Sequence, residues 1–134
     1  MGFDQYHEPP DELPEETRTF ARINASLTEE AEAIGWYEQR LALEKDPVAQ
    51  AVMRNAQGEE FKHFSMNLEF LFRMNPVWRE IARTVLFKEG DIVEHGEEAE
   101  EAADEAEGGE PSAPTGSFSG SGSLGIGSLR GRGL

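Results

Sequence analysis

Apolar and polar positions follow a helical rhythm over the first two-thirds of the chain. Phe20, Ile23, Leu27, Glu30, Ile34, Tyr37 and Leu41 are spaced three and four residues apart. That spacing puts them on one side of a helix, as a seam for another helix. Ala49, Met53, Ala56, Glu60, His63, Asn67, Phe70 and Met74 repeat the alternation. A second apolar stripe, Phe61, Phe64, Leu68 and Leu71, lies about 100° round the same helix.

Prolines mark the ends of these elements. Pro14, followed by Glu15 and Glu16, opens a helix that runs to about Leu43. "EKDP" breaks it, because Pro47 disfavours helix at Asp46 and cannot stand in a helix interior. Asp46 then caps a second helix that runs to about Met74. Asn75 and Pro76 punctuate again, and a short third helix runs to about Lys88, ended by Gly90. The pattern predicts an all-α fold, an antiparallel two-helix hairpin with a short C-terminal helix. Helix two has two apolar faces, and a lone hairpin covers only one of them well. A second chain is expected on the other.

Composition divides the chain further. Residues 1–12 are polar, proline-bearing and expected to be extended; 13–89 form the helical domain. Residues 90–121 are an acidic block, then a Pro/Gly/Ser-rich linker, and 122–134 close the chain. The last part, from about 90, has too little apolar bulk to offset ordering entropy, so disorder is predicted there. The acidic run 97–110 reads as a solvated spacer, and His95 beside it as a surface residue.

Charge narrows the partners. With 27 acidic against 12 basic residues, the net charge is −15 over 134 residues. That argues against nucleic acid and favours steering cations to the surface. The sequence holds no cysteine, which excludes disulfides and thiolate metal sites and fits a reducing cytoplasm. The opening residues do not read as a signal peptide, and no apolar stretch approaches the roughly 20 residues of a membrane span.

Against this background, Glu30, Glu60 and His63 interrupt the two apolar seams near the middle of each helix. A single Glu at a seam edge can reach water, and Glu-x-x-His arises by chance in Glu-rich helices. Together, however, they place three metal-type side chains on facing seams, where uncompensated carboxylates are costly. Carboxylate oxygens and imidazole nitrogen suit iron. Ferritin-like di-iron bundles take a Glu from each of two helices and a Glu-x-x-His from each of two more. This chain supplies half of that set. A two-fold contact would repeat every ligand, giving a di-iron (Fe) centre shared between two subunits, with the hairpin as half of a four-helix bundle completed by dimerisation.

The stretches "SLTEEAEAIGWYEQR", "GEEFKHFSMNLEF" and "TVLFKEG" resemble the encapsulated ferritins, the two-helix members of the ferritin-like superfamily. "GSLGIGSLRGR" resembles the C-terminal peptide by which cargo docks inside encapsulin nanocompartments. The resemblance covers about residues 6–90 and 122–132.

It implies a ferroxidase that oxidises Fe(II) and delivers iron for storage in a cytoplasmic encapsulin shell. It further implies a homo-oligomer, a ring-shaped decamer built from dimers. Glu30, Glu60 and His63 match the family's metal ligands. Tyr37, beside Trp36, matches an aromatic near the metals, with a role in catalysis or as an ordinary seam residue. Glu29 and Glu32 match acids that guide iron inward, or form a solvated helix face. Leu124, Ile126 and Leu129, with Arg130 and Arg132, would be the anchors for the encapsulin shell protein. Gly58 and Lys62 depart from what the motif's flanks favour and bear on accessory metal positions. Two other classes stay open: a non-enzymatic helical cargo adaptor, and a di-metal protein with another task, such as peroxide reduction or zinc or manganese binding.

Overall fold

In a computed structural model of the chain, residues 6–108 are described. They form a short 3-10 turn at Pro10–Glu12 and four α-helices, with no strand among the described residues. The helices are α1 (Glu15–Leu43), α2 (Pro47–Met74), α3 (Pro76–Val85) and α4 (Ile92–Glu107).

The breaks follow local chemistry. Pro14 stands at the N-cap of α1, with Glu15 and Glu16 in the first turn, where acids complement the helix dipole. Between α1 and α2, Oδ1 of Asp46 accepts from the backbone N–H groups of Val48 (2.8 Å) and Ala49 (2.9 Å). Pro47, which has no N–H to satisfy, occupies the first helical position. Asn75 caps α3 in the same way, accepting from the Trp78 N–H at 3.0 Å, again with proline next.

α1 and α2 pack as an antiparallel hairpin. Gln57 reaches Ile34 and Glu38 of α1, while Glu60, one turn later, reaches Glu30, one turn earlier. At the hairpin's open end, Trp78 meets Phe72 edge-on, ring centroids 5.2 Å apart, and Phe20 at 6.4 Å. These aromatics dock α3 where α1 begins and α2 ends.

Pro10–Glu12, expected to be extended, form the 3-10 turn, and the helices correct three further expectations. The side of α2 turned toward α1 carries buried Gln57 and fully buried Leu71, with Phe64 half-buried between them. At 100° per residue, this line runs along the Phe64–Leu71 stripe and not along Ala56–His63–Phe70. His63 and Phe70 lie on the open flank, with Glu60 at the boundary. Next, α3 stops at Val85, short of Lys88; Leu86 turns to extended backbone, and Phe87 and Gly90 take positive φ of 59° and 108°.

Third, residues 92–107, expected to be disordered, form α4. Asp91 caps it, accepting from Val93 and Glu94 N–H groups at 2.8 and 3.2 Å. Alanine and glutamate are strong helix formers, and Ala99 is buried as α4 packs against α3. His95 is tied into the α3–α4 connection, its Nε2 2.9 Å from the Glu89 carbonyl.

Candidate metal centre

Glu30 is contributed by the middle of α1, and Glu60 and His63 by the middle of α2. Because i and i+3 share a helix face, Glu60 and His63 stand together, Nδ1 to Oε2 at 3.4 Å. The antiparallel register brings Glu30 Oε1 to 4.0 Å from the same Nδ1. One ligand atom from each of the three lies within 4.8 Å of the others. The carboxylate side chains are about one-fifth exposed (22% and 21%), the imidazole 46%. The cluster therefore opens sideways, onto the flank that the hairpin leaves uncovered.

Two carboxylates this close cannot both carry full charge comfortably. The Glu30 carboxyl is raised above the usual range, first by its hydrogen bond to Glu60, then by burial and by the Glu60 charge. The Glu60 carboxyl is lowered by accepting that hydrogen bond, and further by its contact with His63. The two shifts are opposite, so Glu30 is the carboxyl on which a proton shared by the pair would sit, with the imidazole alongside. A cation with oxygen and nitrogen preferences is the group that could replace it.

Gln57, one turn before Glu60, carries a role that sequence reading missed. Its Nε2 donates to Glu38 Oε2 at 2.9 Å and to the Ile34 carbonyl at 3.4 Å. This buried amide ties α2 to α1 at the register that aligns Glu30 with Glu60. The available signal was its place seven residues before Phe64, on the continuation of the Phe64–Leu71 stripe.

The other expected residues lie outside the cluster. Tyr37 is two turns, about 10 Å, along α1 from Glu30, half-buried, with the Arg40 guanidinium 5.4 Å from its ring centre. Glu29 and Glu32 are exposed; the Glu29 charge contributes to raising Glu30. Lys62 pairs with Glu59 on the outer face and touches no candidate ligand. Leu124, Ile126, Leu129 and Arg130 lie outside the described residues.

A helical hairpin with carboxylates and an imidazole on its inner boundary has the architecture of a ferritin-like half-bundle. A family profile described as EncFtn-like matches residues 5–89, and the chain belongs to that family. It is 43% identical over 125 residues to the "Encapsulated ferritin-like protein" of Rhodospirillum rubrum, covering 93% of this chain and 87% of that protein. A "Ferritin-like protein" of Thermotoga maritima is 44% identical over 95 residues, covering 71% of this chain and 83% of that one. Among solved structures, the crystal structure of protein ne0167 from Nitrosomonas europaea is similar, with a TM-score of 0.64 and 37% identity. It covers 66% of this chain and 98% of that one.

Proposed function

We propose that this protein is a ferroxidase, oxidising Fe(II) to Fe(III) at a di-iron centre formed between two subunits. The observation that carries the reading is the convergence of Glu30, Glu60 and His63 on an uncovered helix flank. Three ligands are too few for two irons. A second copy about a two-fold axis would bring the same three, giving four carboxylates and two imidazoles, the ferritin-like di-iron set. Exposed Phe61, Met66 and Phe70 supply apolar surface on α2 beyond the hairpin contact.

Iron is the substrate. Two Fe(II) each give up one electron; dioxygen takes both, with two protons, and leaves as hydrogen peroxide. The carboxylates hold the cations, and their charge favours the product Fe(III) over Fe(II). Tyr37 stands near enough along α1 to support electron transfer, and Glu29 and Glu32 form an acidic approach. A hairpin has no closed shell in which to keep a mineral, so storage falls to a container. The name of the R. rubrum relative and the C-terminal sequence support an encapsulin nanocompartment in that role. Leu124, Ile126, Leu129 and Arg130 are the docking anchors, and a ring-shaped decamer, a pentamer of dimers, is the proposed assembly.

Anaerobic Fe(II) titration followed by native mass spectrometry tests the centre. Even-numbered assemblies with one tightly held iron per subunit are expected. In air, Glu60→Ala and His63→Ala should abolish rapid oxidation. Monomers, or assemblies that take up no iron, would leave the Glu-x-x-His a structural contact and reduce the protein to a cargo adaptor.

A further inference from the structure

α3 and α4 enclose an apolar groove of about 440 Å³, lined by Val77, Ile81, Thr84, Ala99, Ala103 and Ala106 among others. Its volume lies within the roughly 300–1,000 Å³ of ligand pockets. The alanines of α4 leave it unfilled, because they face α3 with methyl groups only.

We propose that the groove is the resting place of this chain's own C-terminal segment, with Leu124 and Ile126 as the apolar occupants and Arg130 and Arg132 against the acids of α4. Three observations on the molecule support that occupant over others. The first is charge. α4 carries eight acids (Glu94, 97, 98, 100, 101, 105, 107 and Asp104) and no Lys or Arg, while residues 111–134 carry two arginines and no acid.

The second is exclusion elsewhere. The grooves beside Phe70, Leu86 and Leu43 each include at least one Arg or Lys (Lys62 and Arg73; Arg79, Arg83 and Lys88; Arg40 and Lys45), which would repel a basic segment. Thr84 and Glu80 are the polar residues lining the α3–α4 groove, and no cation lines it.

The third is reach. α4 ends at Glu107, next to groove residue Ala106. Residues 109–123 are rich in Gly and Ser, and a Gly/Ser-rich chain of that length has an r.m.s. span of roughly 21 Å. The groove extends about 12 Å along α3, from Pro76 to Thr84. Leu124 can therefore return to it. In an extended strand, Leu124 and Ile126 point to the same side, and the glycines between them add no bulk.

The contact stands apart from the iron chemistry. Its consequence rests on the reading of the tail as a shell-docking peptide: the same side chains cannot sit in the groove and in a shell site at once. Docking to the shell would then compete with a self-contact.

Because the chain has no cysteine, Ser128→Cys in the full-length protein accepts a single nitroxide. The methyl resonances of Val77 and Ile81 should broaden, those of Ile34, about 21 Å along α1 from Phe20, should not, and added NaCl should weaken the effect. Leu124→Ser with Ile126→Ser, or Arg130→Glu with Arg132→Glu, should remove it; none of these lies within the helices, so the fold is not put at risk. Equal broadening at Ile34 and Ile81, broadening that survives the serine pair, or broadening as strong between separately labelled chains in a mixture as within one chain would each overturn the proposal.

Binding to encapsulin shell protein separates the two readings. The full chain should bind roughly tenfold more weakly than a synthetic 122–134 peptide if the tail is free about one-tenth of the time. A peptide that binds no shell protein would end the docking role while leaving the broadening result standing. Equal binding by chain and peptide, without broadening, would end the self-contact alone.

Discussion

Gln57→Ala isolates what holds the candidate centre in register. The wild-type amide is buried (8% exposed), donating to Glu38 Oε2 at 2.9 Å and sharing the Ile34 carbonyl at 3.4 Å. A hydrogen bond to a charged group contributes about 1.5–3 kcal/mol net. Here the lower end applies, because Glu38 is exposed and regains water when its partner goes. The Ile34 contact is long and adds little. Loss of packing around the truncated side chain brings the total to about 2 kcal/mol. For a folded unit near 100 residues, each kcal/mol moves Tm by about 4–8 °C, so Tm should fall by about 8–16 °C. The assay is thermal unfolding followed by circular dichroism, metal-free and at fixed protein concentration.

A double-mutant cycle with Glu38→Ala should show about 1 kcal/mol of coupling. Fe(II) affinity should fall in the same variant, since Glu30 and Glu60 then lose the tie that aligns them. Additive effects in the cycle, or a Tm within 2 °C of wild type (too small for one such bond), would refute the register argument.

Other outcomes follow from single contacts. Asp46→Ala removes the acceptor for two N–H groups of α2 and should cost about 1 kcal/mol, with Asp46→Asn keeping most of it; equal denaturant midpoints would count against the cap. His95 is raised above the ordinary histidine value, chiefly by the Glu89 carbonyl and then by Glu98. Its contribution is therefore fully present below the unfolded-state value, about 6.5, and is lost as pH rises through the higher folded one. An NMR titration should place the His95 transition above that value, and His95→Gln should remove the pH dependence of the α4 protection factors, taken relative to intrinsic exchange at each pH; an unshifted titration would contradict the contact. Phe87→Gly should raise stability by about 1 kcal/mol, since φ of 59° strains a non-glycine backbone and the ring is fully exposed; a destabilised variant would mean the ring is covered in the assembled protein.

The bounds of α1 and α2 and the start of α3 were legible because their causes are local. Asp46–Pro47 and Asn75–Pro76 act through backbone groups one to three residues away, so caps and breaks can be read without a fold. The i, i+3 relation of Glu60 and His63 is equally local, and with Glu30 in the opposite seam it pointed to the cluster that the structure brings together.

What the sequence left undetermined was the phase of α2. Two apolar stripes compete for α1, and their composition does not choose between them. Packing does, by burying Leu71 and seating the Gln57 amide against Glu38, which leaves His63 on the open flank. α4 escaped for a related reason. Its acids suggested a solvated coil, but its alanine face contributes only when α3 is present to cover it. Local hydrogen bonding and spacing can be written in a single segment. The choice of which face is buried depends on the surface of another helix, and only the folded chain supplies that.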